Sequence, residues 1–254
     1  MNFQNWITYF KSNRENFSHI SWNINDKLTF QEKSIIAKSV QQFQRGEGSE
    51  GLNWIKSAER YFSKMEDKSY VEALKLFIKE EQRHSEVLGK MMNANLIPKI
   101  EAHWMDNLFR RVRKYTNLEY EITILITAEF IATVYYDALA KAVKSPLVKD
   151  LCAQILKDEA QHLAFQSEAL RFIKQRQSLL GRIFNRAFHH ALVPITIALV
   201  WAEHRQVLKA GGYDFKTYAK QIWHVYRTTI PITAGEELAQ SMTEKKLSTS
   251  TASQ

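Results

Sequence analysis

Apolar residues recur at steps of three and four along nearly the whole chain, and no segment shows the strict alternation of a half-buried strand. This spacing predicts an amphipathic N-terminal segment over 3–17, long helices over about 29–63, 70–93, 118–143 and 146–175, and an apolar helix over about 180–209 followed by two shorter ones. The chain has only 8 Gly and 4 Pro, which also favours helix. We therefore predict an all-α protein.

Local signals mark the ends of these helices. Thr29 has the residue type and position of an N-cap, and Glu32 three residues later completes a capping box. Pro98 and Pro146 fall in connections, where a proline costs little. The helix boundaries are therefore predicted from local chemistry as well as from periodicity.

The four long helices form two hairpins, joined by a short amphipathic crossover over 101–114. This order predicts a four-helix bundle over 29–175 with additional N-terminal and C-terminal helices. We expect one helical domain over residues 1–242, of which 176–242 form the C-terminal extension. The low-complexity tail over 243–254 is expected to be disordered.

Two helices carry the same pair of polar residues, a Glu followed three residues later by a His. The first pair is Glu81 with His84 and the second is Glu159 with His162, so each residue recurs after 78 positions. Both pairs lie in the apolar stripe of their helix, where an isolated carboxylate is costly to bury and needs a partner. The spacing of three places both side chains on one helix face. A shared divalent metal site is therefore predicted.

The other two long helices also carry acids on their apolar stripes. Glu129 interrupts an otherwise apolar stripe on the third helix, and Glu47 and Glu50 lie on the stripe of the first. We predict Glu50 as the ligand because Glu50 and Glu129 are 79 residues apart, close to the spacing of the two Glu-x-x-His pairs. Glu47 is the alternative ligand, or a group that supports the ligands.

The predicted ligand set has balanced charge for two divalent ions. Four glutamates contribute four negative charges and the two imidazoles are neutral. Oxygen donors with one His per metal suit iron or manganese and leave open positions for dioxygen. We expect two iron ions, with manganese as an alternative for one or both. In one arrangement Glu81 and Glu159 bridge the metals, while Glu50 and Glu129 bind terminally.

With this ligand set the chain resembles the ferritin-like di-iron carboxylate superfamily, which includes rubrerythrins, bacterioferritins and di-iron oxygenases. The resemblance covers about residues 29–175. It implies a ferritin-like bundle that reacts with dioxygen or peroxide, with the six ligands acting catalytically through the metals. The chain departs from rubrerythrins in lacking cysteine knuckles, since Cys152 is its one cysteine. Some 65 ordered residues are expected after the bundle, which favours an oxidase or oxygenase over a storage cage.

Two further residues lie near the predicted ligands. Tyr136 lies two turns from Glu129 on the same face, where it is a core tyrosine or a group that hydrogen-bonds a metal-bound oxygen or takes part in one-electron chemistry. Asp158 precedes a ligand and is either a solvated acid or a carboxylate that orients an imidazole from a neighbouring helix. The competing interpretation of the buried acids is pairing with Lys or Arg across the core, but the four inward stripes contain neither.

Charge leaves a second class of function open. The net charge is +8, and the one compact basic run, RRVRK over 110–114, would suit an RNA or protein partner. A solvated basic face is the simpler interpretation. The longest uninterrupted apolar stretch, 191–202, is 12 residues long and contains Pro194, so no membrane span is expected. With no signal peptide evident and a single cysteine, a cytoplasmic location is expected.

The sequence therefore predicts a di-iron oxidase or oxygenase. Its substrate, a small molecule or an RNA, and its electron donor are unknown, and a homodimer is one expected assembly. The first alternative is a ferroxidase that handles iron without an organic substrate. The second is a non-catalytic helical scaffold for RNA or a protein partner.

Overall fold

The computed structural model of the protein describes residues 3–15, 20, 22, 26–63, 65, 67–101 and 117–230. These residues form eight α-helices and no β-strand, so the predicted all-α class is confirmed. In chain order the helices are α1 (Gln4–Glu15), α2 (Phe30–Glu47), α3 (Leu52–Phe62), α4 (Ser69–Ala94), α5 (Leu118–Ala142), α6 (Pro146–Lys174), α7 (Leu179–Ala210) and α8 (Phe215–Thr229).

Most predicted helix ends lie within two residues of the observed ones. The capping box at the start of α2 is present, with Glu32 N donating to Thr29 Oγ1 at 3.2 Å and Thr29 N donating to Glu32 Oε2 at 2.8 Å. Pro146 occupies the first turn of α6, where its missing N–H is harmless. The predicted crossover from residue 102 onward, the basic run, the last short helix and the tail lie outside the described residues.

The predicted single helix over 29–63 is wrong, because the chain breaks between Glu47 and Leu52. Gly51 adopts a left-handed backbone with φ of 60°. A Cβ at Gly51 would also lie 2.5 Å from the Ile78 Cδ1 atom of α4. The left-handed backbone favours glycine here, and a larger residue would also force the Ile78 side chain to shift. The two successive helices α2 and α3 therefore replace one long helix.

The helices pack as two neighbouring hairpins with flanking helices. α2 packs against α4 and α5 packs against α6, while α4 contacts α6 and α2 contacts α5. α1 lies along α4, α7 covers α5 and α2, and α8 contacts α5, α6 and α7. The packed interior of α2, α4, α5 and α6 is thus enclosed on several sides by the additional helices.

The buried apolar residues divide into two clusters along the helices. On α4, α5 and α6 the first cluster includes Phe77, Ile126 and Phe165, and the second includes Leu88 and Ala132 among others. On α4 and α6 the predicted ligands lie between the two clusters in sequence, and on α5 Glu129 lies among residues of the first cluster; all of them are buried or half-buried. Apolar packing on both sides therefore separates these polar groups from bulk water.

Two described helices are long and apolar enough to cross a membrane by length and composition alone. They are α5 and α7. For α5, 78% of its 18-residue apolar stretch is buried inside the protein, as in the central helix of a core. For α7 the buried share is only 33%, so much of its apolar surface faces outward.

Gly211, at the end of α7, is required by a close contact between helices. A Cβ there would lie 2.4 Å from the Ala138 backbone O of α5. We expect Gly211→Ala to lower the free energy of unfolding by about 1 to 3 kcal/mol through overpacking. Gly46 has no neighbour within 4 Å, so Gly46→Ala is the matched control. It should raise stability by up to about 1 kcal/mol through helix propensity. Urea unfolding of both variants measures this contrast, and equal effects would contradict it.

Candidate metal centre

The two Glu-x-x-His pairs meet in the interior. Glu81 and His84 come from α4, and Glu159 and His162 come from α6. One donor atom of each of these four residues lies within 4.8 Å of the others. His84, Glu159 and His162 are completely buried. The structure thus brings together four of the six predicted ligands in a compact group of two carboxylates and two imidazoles.

Glu129 of α5 joins this group from the side of His162. Its Oε2 lies 4.0 Å from His162 Nδ1, and its carboxylate interacts directly with that of Glu159. The other oxygen, Oε1, accepts a 2.7 Å hydrogen bond from Gln166 Nε2. Gln166 therefore holds the carboxylate in place while leaving Oε2 directed at the cluster.

The fourth carboxylate of the cluster is Glu47, and the preference for Glu50 is corrected. Glu47 is the last residue of α2, and its carboxylate interacts with Glu81 and His84. Glu50 lies in the connection to α3 and is exposed. The repeat in spacing favoured Glu50 only if one helix continued through both positions. Because the helix ends at Glu47, Glu50 is not on the inward face.

These six residues have an approximate two-fold arrangement. Glu81 and Glu159 lie between the two imidazoles, whose ring centroids are 5.5 Å apart. His162 Nδ1 is 2.6 Å from Glu81 Oε1, and His84 Nδ1 is 3.8 Å from Glu159 Oε1. Glu47 lies on the His84 side, and Glu129 lies on the His162 side. We call His84 with Glu47, and His162 with Glu129, the two half-sites; both lie close to Glu81 and Glu159.

Each imidazole is oriented by a carboxylate of the opposite helix. His84 Nε2 lies 3.0 Å from Asp158 Oδ2, and His162 Nε2 lies 3.3 Å from Glu80 Oε2. The orienting position of Asp158, one of its two predicted interpretations, is therefore the observed one. Glu80 was missed, although the sequence carried its signal: an acid directly precedes the Glu of both pairs. Such partners fix the tautomer and orientation of metal-binding histidines.

The outer carboxylates, Glu80 and Asp158, accept hydrogen bonds from further donors. Asn13 of α1 donates to Glu80 and, at 2.8 Å, to Asp158 Oδ1. Arg83 pairs with Glu80, and Gln154 Nε2 donates to Asp158 Oδ1 at 2.9 Å.

Asp158 and Glu80 set which nitrogen of a neutral imidazole carries the proton. Burial raises the pKa of Asp158, but hydrogen bonds from His84, Asn13 and Gln154 lower it below its ordinary value. As acceptors, Asp158 and Glu80 receive the Nε2–H of His84 and His162. In the neutral ring, Nδ1 of each histidine then faces the cluster as an acceptor.

The inner atoms lack hydrogen-bond partners within the described part of the chain. They are Glu81 Oε1, both carboxylate oxygens of Glu159, and Nδ1 of His84 and His162. The 2.6 Å approach between Glu81 and His162 lacks hydrogen-bond geometry. Buried polar atoms without partners are rare and call for a specific explanation. Atoms of the types that bind first-row metals, converging on one point, fit a metal site.

Excess negative charge perturbs the protonation of the cluster. Burial and the neighbouring Glu81 carboxylate raise the pKa of Glu47 well above 4.5. Burial and Glu129 do the same for Glu159. Burial lowers the pKa of His162, but Glu81, Glu159 and Glu80 together raise it well above 6.5. Without a cation the cluster must therefore retain protons at neutral pH.

Tyr136 supports Glu47. Its buried hydroxyl donates a 2.6 Å hydrogen bond to Glu47 Oε1. Burial, and then the Glu47 charge, raises the pKa of the phenol well above 10, so it remains a neutral donor. Tyr136 is a core residue with a defined partner, and it fixes one terminal carboxylate as Gln166 fixes the other.

Ion pairing across the core does not explain the cluster. Within the described residues, Arg83 contacts the outer carboxylate Glu80, and no Lys or Arg forms an ion pair with the six inner residues. Of the two sequence interpretations of these acids, the structure therefore favours convergent metal ligands.

We expect the metal-free protein to lose stability between about pH 5 and about pH 8. The fold raises the pKa values of Glu47 and Glu159. Above pH 4.5 these two groups lose their protons in the unfolded chain but keep them in the folded protein, so a rise in pH favours unfolding. The stabilising charge on His162 is complete below 6.5 and is lost as pH rises through its raised pKa. All three groups therefore lower the stability of the folded protein as pH rises. Thermal melting in chelator measures them, and a melting temperature that rises with pH would contradict the assignment.

Comparison with protein-family models, curated proteins and solved structures found no match for this chain. The resemblance to ferritin-like proteins therefore remains an interpretation of the residues. What stands independently of it is an all-helical protein with a buried Glu/His group able to hold a metal ion.

Proposed function

We propose that this protein is a dinuclear metalloprotein of the ferritin-like di-iron carboxylate type, acting as an oxidase or oxygenase. The observation that carries the proposal is the convergence of Glu81, His84, Glu159 and His162 within 4.8 Å, with inner atoms that have no hydrogen-bond partner among the described residues. Glu47 with His84 and Glu129 with His162 supply the terminal donors of the two half-sites. Glu81 and Glu159 supply the shared donors.

The donor set favours iron, with manganese as the alternative. Four carboxylates balance the charge of two divalent ions, and one imidazole per ion suits either metal. Bound iron would supply the electrons that reduce dioxygen or peroxide. Zinc structural sites, by contrast, are usually closed by four cysteine or histidine ligands.

The protein's own residues prepare the site for this chemistry. Asp158 and Glu80 fix the Nε2–H tautomers, so that each Nδ1 is available as a donor. Tyr136 and Gln166 hold the terminal carboxylates by one oxygen each and leave the other free to shift. The apolar clusters at both ends exclude water and strengthen the electrostatic interactions inside.

A small cavity favours an organic substrate over the first alternative, ferroxidase action on iron alone. It measures about 210 Å³ and opens at the break between α2 and α3, beside Glu50, Gly51 and Trp54. The Trp54 ring packs edge-on against Phe77, which in turn packs edge-on against His162. These two rings separate the cavity from His162 and would have to move to admit a substrate. Its size suits a small molecule.

Iron content and dioxygen uptake test this function. The protein is expressed with ample iron and its metal content measured, then made metal-free, loaded anaerobically with ferrous iron and given dioxygen in an electrode chamber. We expect two irons per chain and prompt dioxygen consumption. Absence of bound metal would refute the metal site and leave the helical scaffold.

Assembly size separates the oxidase from iron handling. Light scattering should show a monomer or dimer if the protein acts on an organic substrate. A hollow assembly of many subunits that accumulates ferric iron would instead support the ferroxidase alternative.

A further inference from the structure

The inward face of α1 is apolar except at its last position. Phe3, Ile7 and Phe10 follow one another at steps of four and three, and all three are buried in the first apolar cluster. Asn13 comes three residues later on the same face and is only 6% exposed. An amide is costly to bury unless it is hydrogen-bonded. A polar residue at the end of an apolar stripe therefore calls for a specific explanation.

The amide nitrogen of Asn13 connects two carboxylates that belong to two different helices. Nδ2 donates to Asp158 Oδ1 of α6 at 2.8 Å, and it also donates to Glu80 Oε1 of α4. An amide NH2 group carries two hydrogens, so each carboxylate receives one of them. The whole donor capacity of the side chain is thus shared between α4 and α6.

Each of these carboxylates holds a histidine with its second oxygen. Asp158 Oδ2 lies 3.0 Å from His84 Nε2, and Glu80 Oε2 lies 3.3 Å from His162 Nε2. The result is one continuous chain of hydrogen-bonding groups: His84, Asp158, Asn13, Glu80 and His162. Because a carboxylate is planar and rigid, fixing one oxygen on Asn13 also fixes the direction of the other.

We propose that Asn13 is a positioning residue for both half-sites at once, so that the docking of α1 and the binding of metal are coupled. The inference rests on the proposed metal site. Loss of a carboxylate partner of a metal-binding histidine commonly lowers metal affinity ten- to one hundred-fold. Since Asn13 holds two such carboxylates, its effect reaches both ions. Coupling is reciprocal, so bound metal also stabilises the docked position of α1.

Two neighbouring side chains provide matched controls. Gln154 Nε2 donates to Asp158 Oδ1 at 2.9 Å, so it supports the carboxylate on the His84 side. Tyr9 lies one turn before Asn13 on α1, and its buried hydroxyl has no hydrogen-bond partner among the described residues. Gln154→Met therefore removes a donor from one half-site, whereas Tyr9→Phe removes a polar atom of α1 from neither.

Nitrogen NMR of the metal-free protein, labelled with 15N-histidine, tests the chain of contacts directly. The two signals are assigned from variants that lack one histidine each. Asn13→Leu, which removes both donors at similar size, should shift the Nε2 signals of both His84 and His162. Gln154→Met should shift that of His84 alone, and Tyr9→Phe should shift neither. A purely structural role would lower stability without this pattern.

Calorimetric titration with manganous ion tests the effect on metal. We expect Asn13→Leu to weaken the binding of both ions by about ten-fold, and Tyr9→Phe to leave it unchanged. Manganese should also slow hydrogen exchange of the α1 amides in the wild-type protein, and less so in Asn13→Leu. Asn13→Asp keeps the shape of the side chain but cannot donate when ionised. It should reproduce both results, which covers the case of a leucine variant that does not fold.

The possible failures are distinguishable. If Asn13→Leu and Asn13→Asp move neither histidine signal, or only one of them, the bridging role is wrong whether or not metal binds. Unchanged manganese affinity, or equal slowing of α1 exchange in the variants and the wild type, would overturn the coupling. A wild-type protein that binds no manganese or iron refutes the proposed function, and the coupling with it.

Discussion

Glu159→Gln will abolish metal binding and, in the same protein, raise the melting temperature of the metal-free form. Glu159 is completely buried, and neither of its side-chain oxygens has a hydrogen-bond partner within the described residues. Its pKa is raised well above 4.5 by burial and by Glu129, so at neutral pH its charge opposes folding. An amide of the same shape removes that charge, and it also removes a donor shared by both half-sites.

Each unit by which the pKa of the buried carboxyl is raised costs about 1.4 kcal/mol at neutral pH, and the amide removes that cost, so the metal-free variant should be more stable by at least about 1 kcal/mol. In a chain of this size, each kcal/mol of added stability raises the melting temperature by about 2 to 4 °C. Calorimetry in chelator and metal analysis after dialysis against ferrous iron measure the two effects. A variant that is less stable without metal, or that still binds two ions, would contradict the role given to Glu159.

Glu47→Gln will weaken metal binding strongly, whereas Glu50→Gln will leave it unchanged. The two glutamates lie three positions apart, but Glu47 interacts with Glu81 and His84 while Glu50 is exposed. Loss of the Glu47 carboxylate should empty the His84 half-site and reduce the bound metal from about two ions to about one, since each half-site has its own terminal ligand. Glu50→Gln is thus the matched control for charge and position in sequence.

Anaerobic calorimetric titration with ferrous or manganous ion measures both variants. If Glu50→Gln loses an ion and Glu47→Gln keeps both, the ligand assignment made from the position of the helix break is wrong. Equal losses in both would place Glu50 near the metals as well, contrary to its exposure.

The helices were predictable because their signals are local. The apolar repeat, the Thr29 capping box and Pro146 each act within a few residues, and the observed ends agree closely. The break before Leu52 was not predicted, because the requirement for Gly51 comes partly from Ile78, a residue of another helix. Extrapolating the periodicity through this point made the inward face appear to continue.

The site was predictable to the extent that its residues repeat in sequence. The two Glu-x-x-His pairs and Glu129 interrupt apolar stripes, so their inward direction followed from helix periodicity. The choice between Glu47 and Glu50 depended on where α2 ends, which tertiary packing decides. The role of Asn13 depends on α1 packing against α4, a contact that joins residues distant in sequence.

Anomalous diffraction at the iron edge, from crystals grown with ferrous iron, tests the central claim most directly. We predict two peaks inside the four-helix interior, one beside Nδ1 of His84 and one beside Nδ1 of His162. Each peak should also lie within bonding distance of Glu81 and Glu159, at roughly 2 Å. An interior without peaks, or iron found only at surface carboxylates, would contradict a dinuclear centre in this protein.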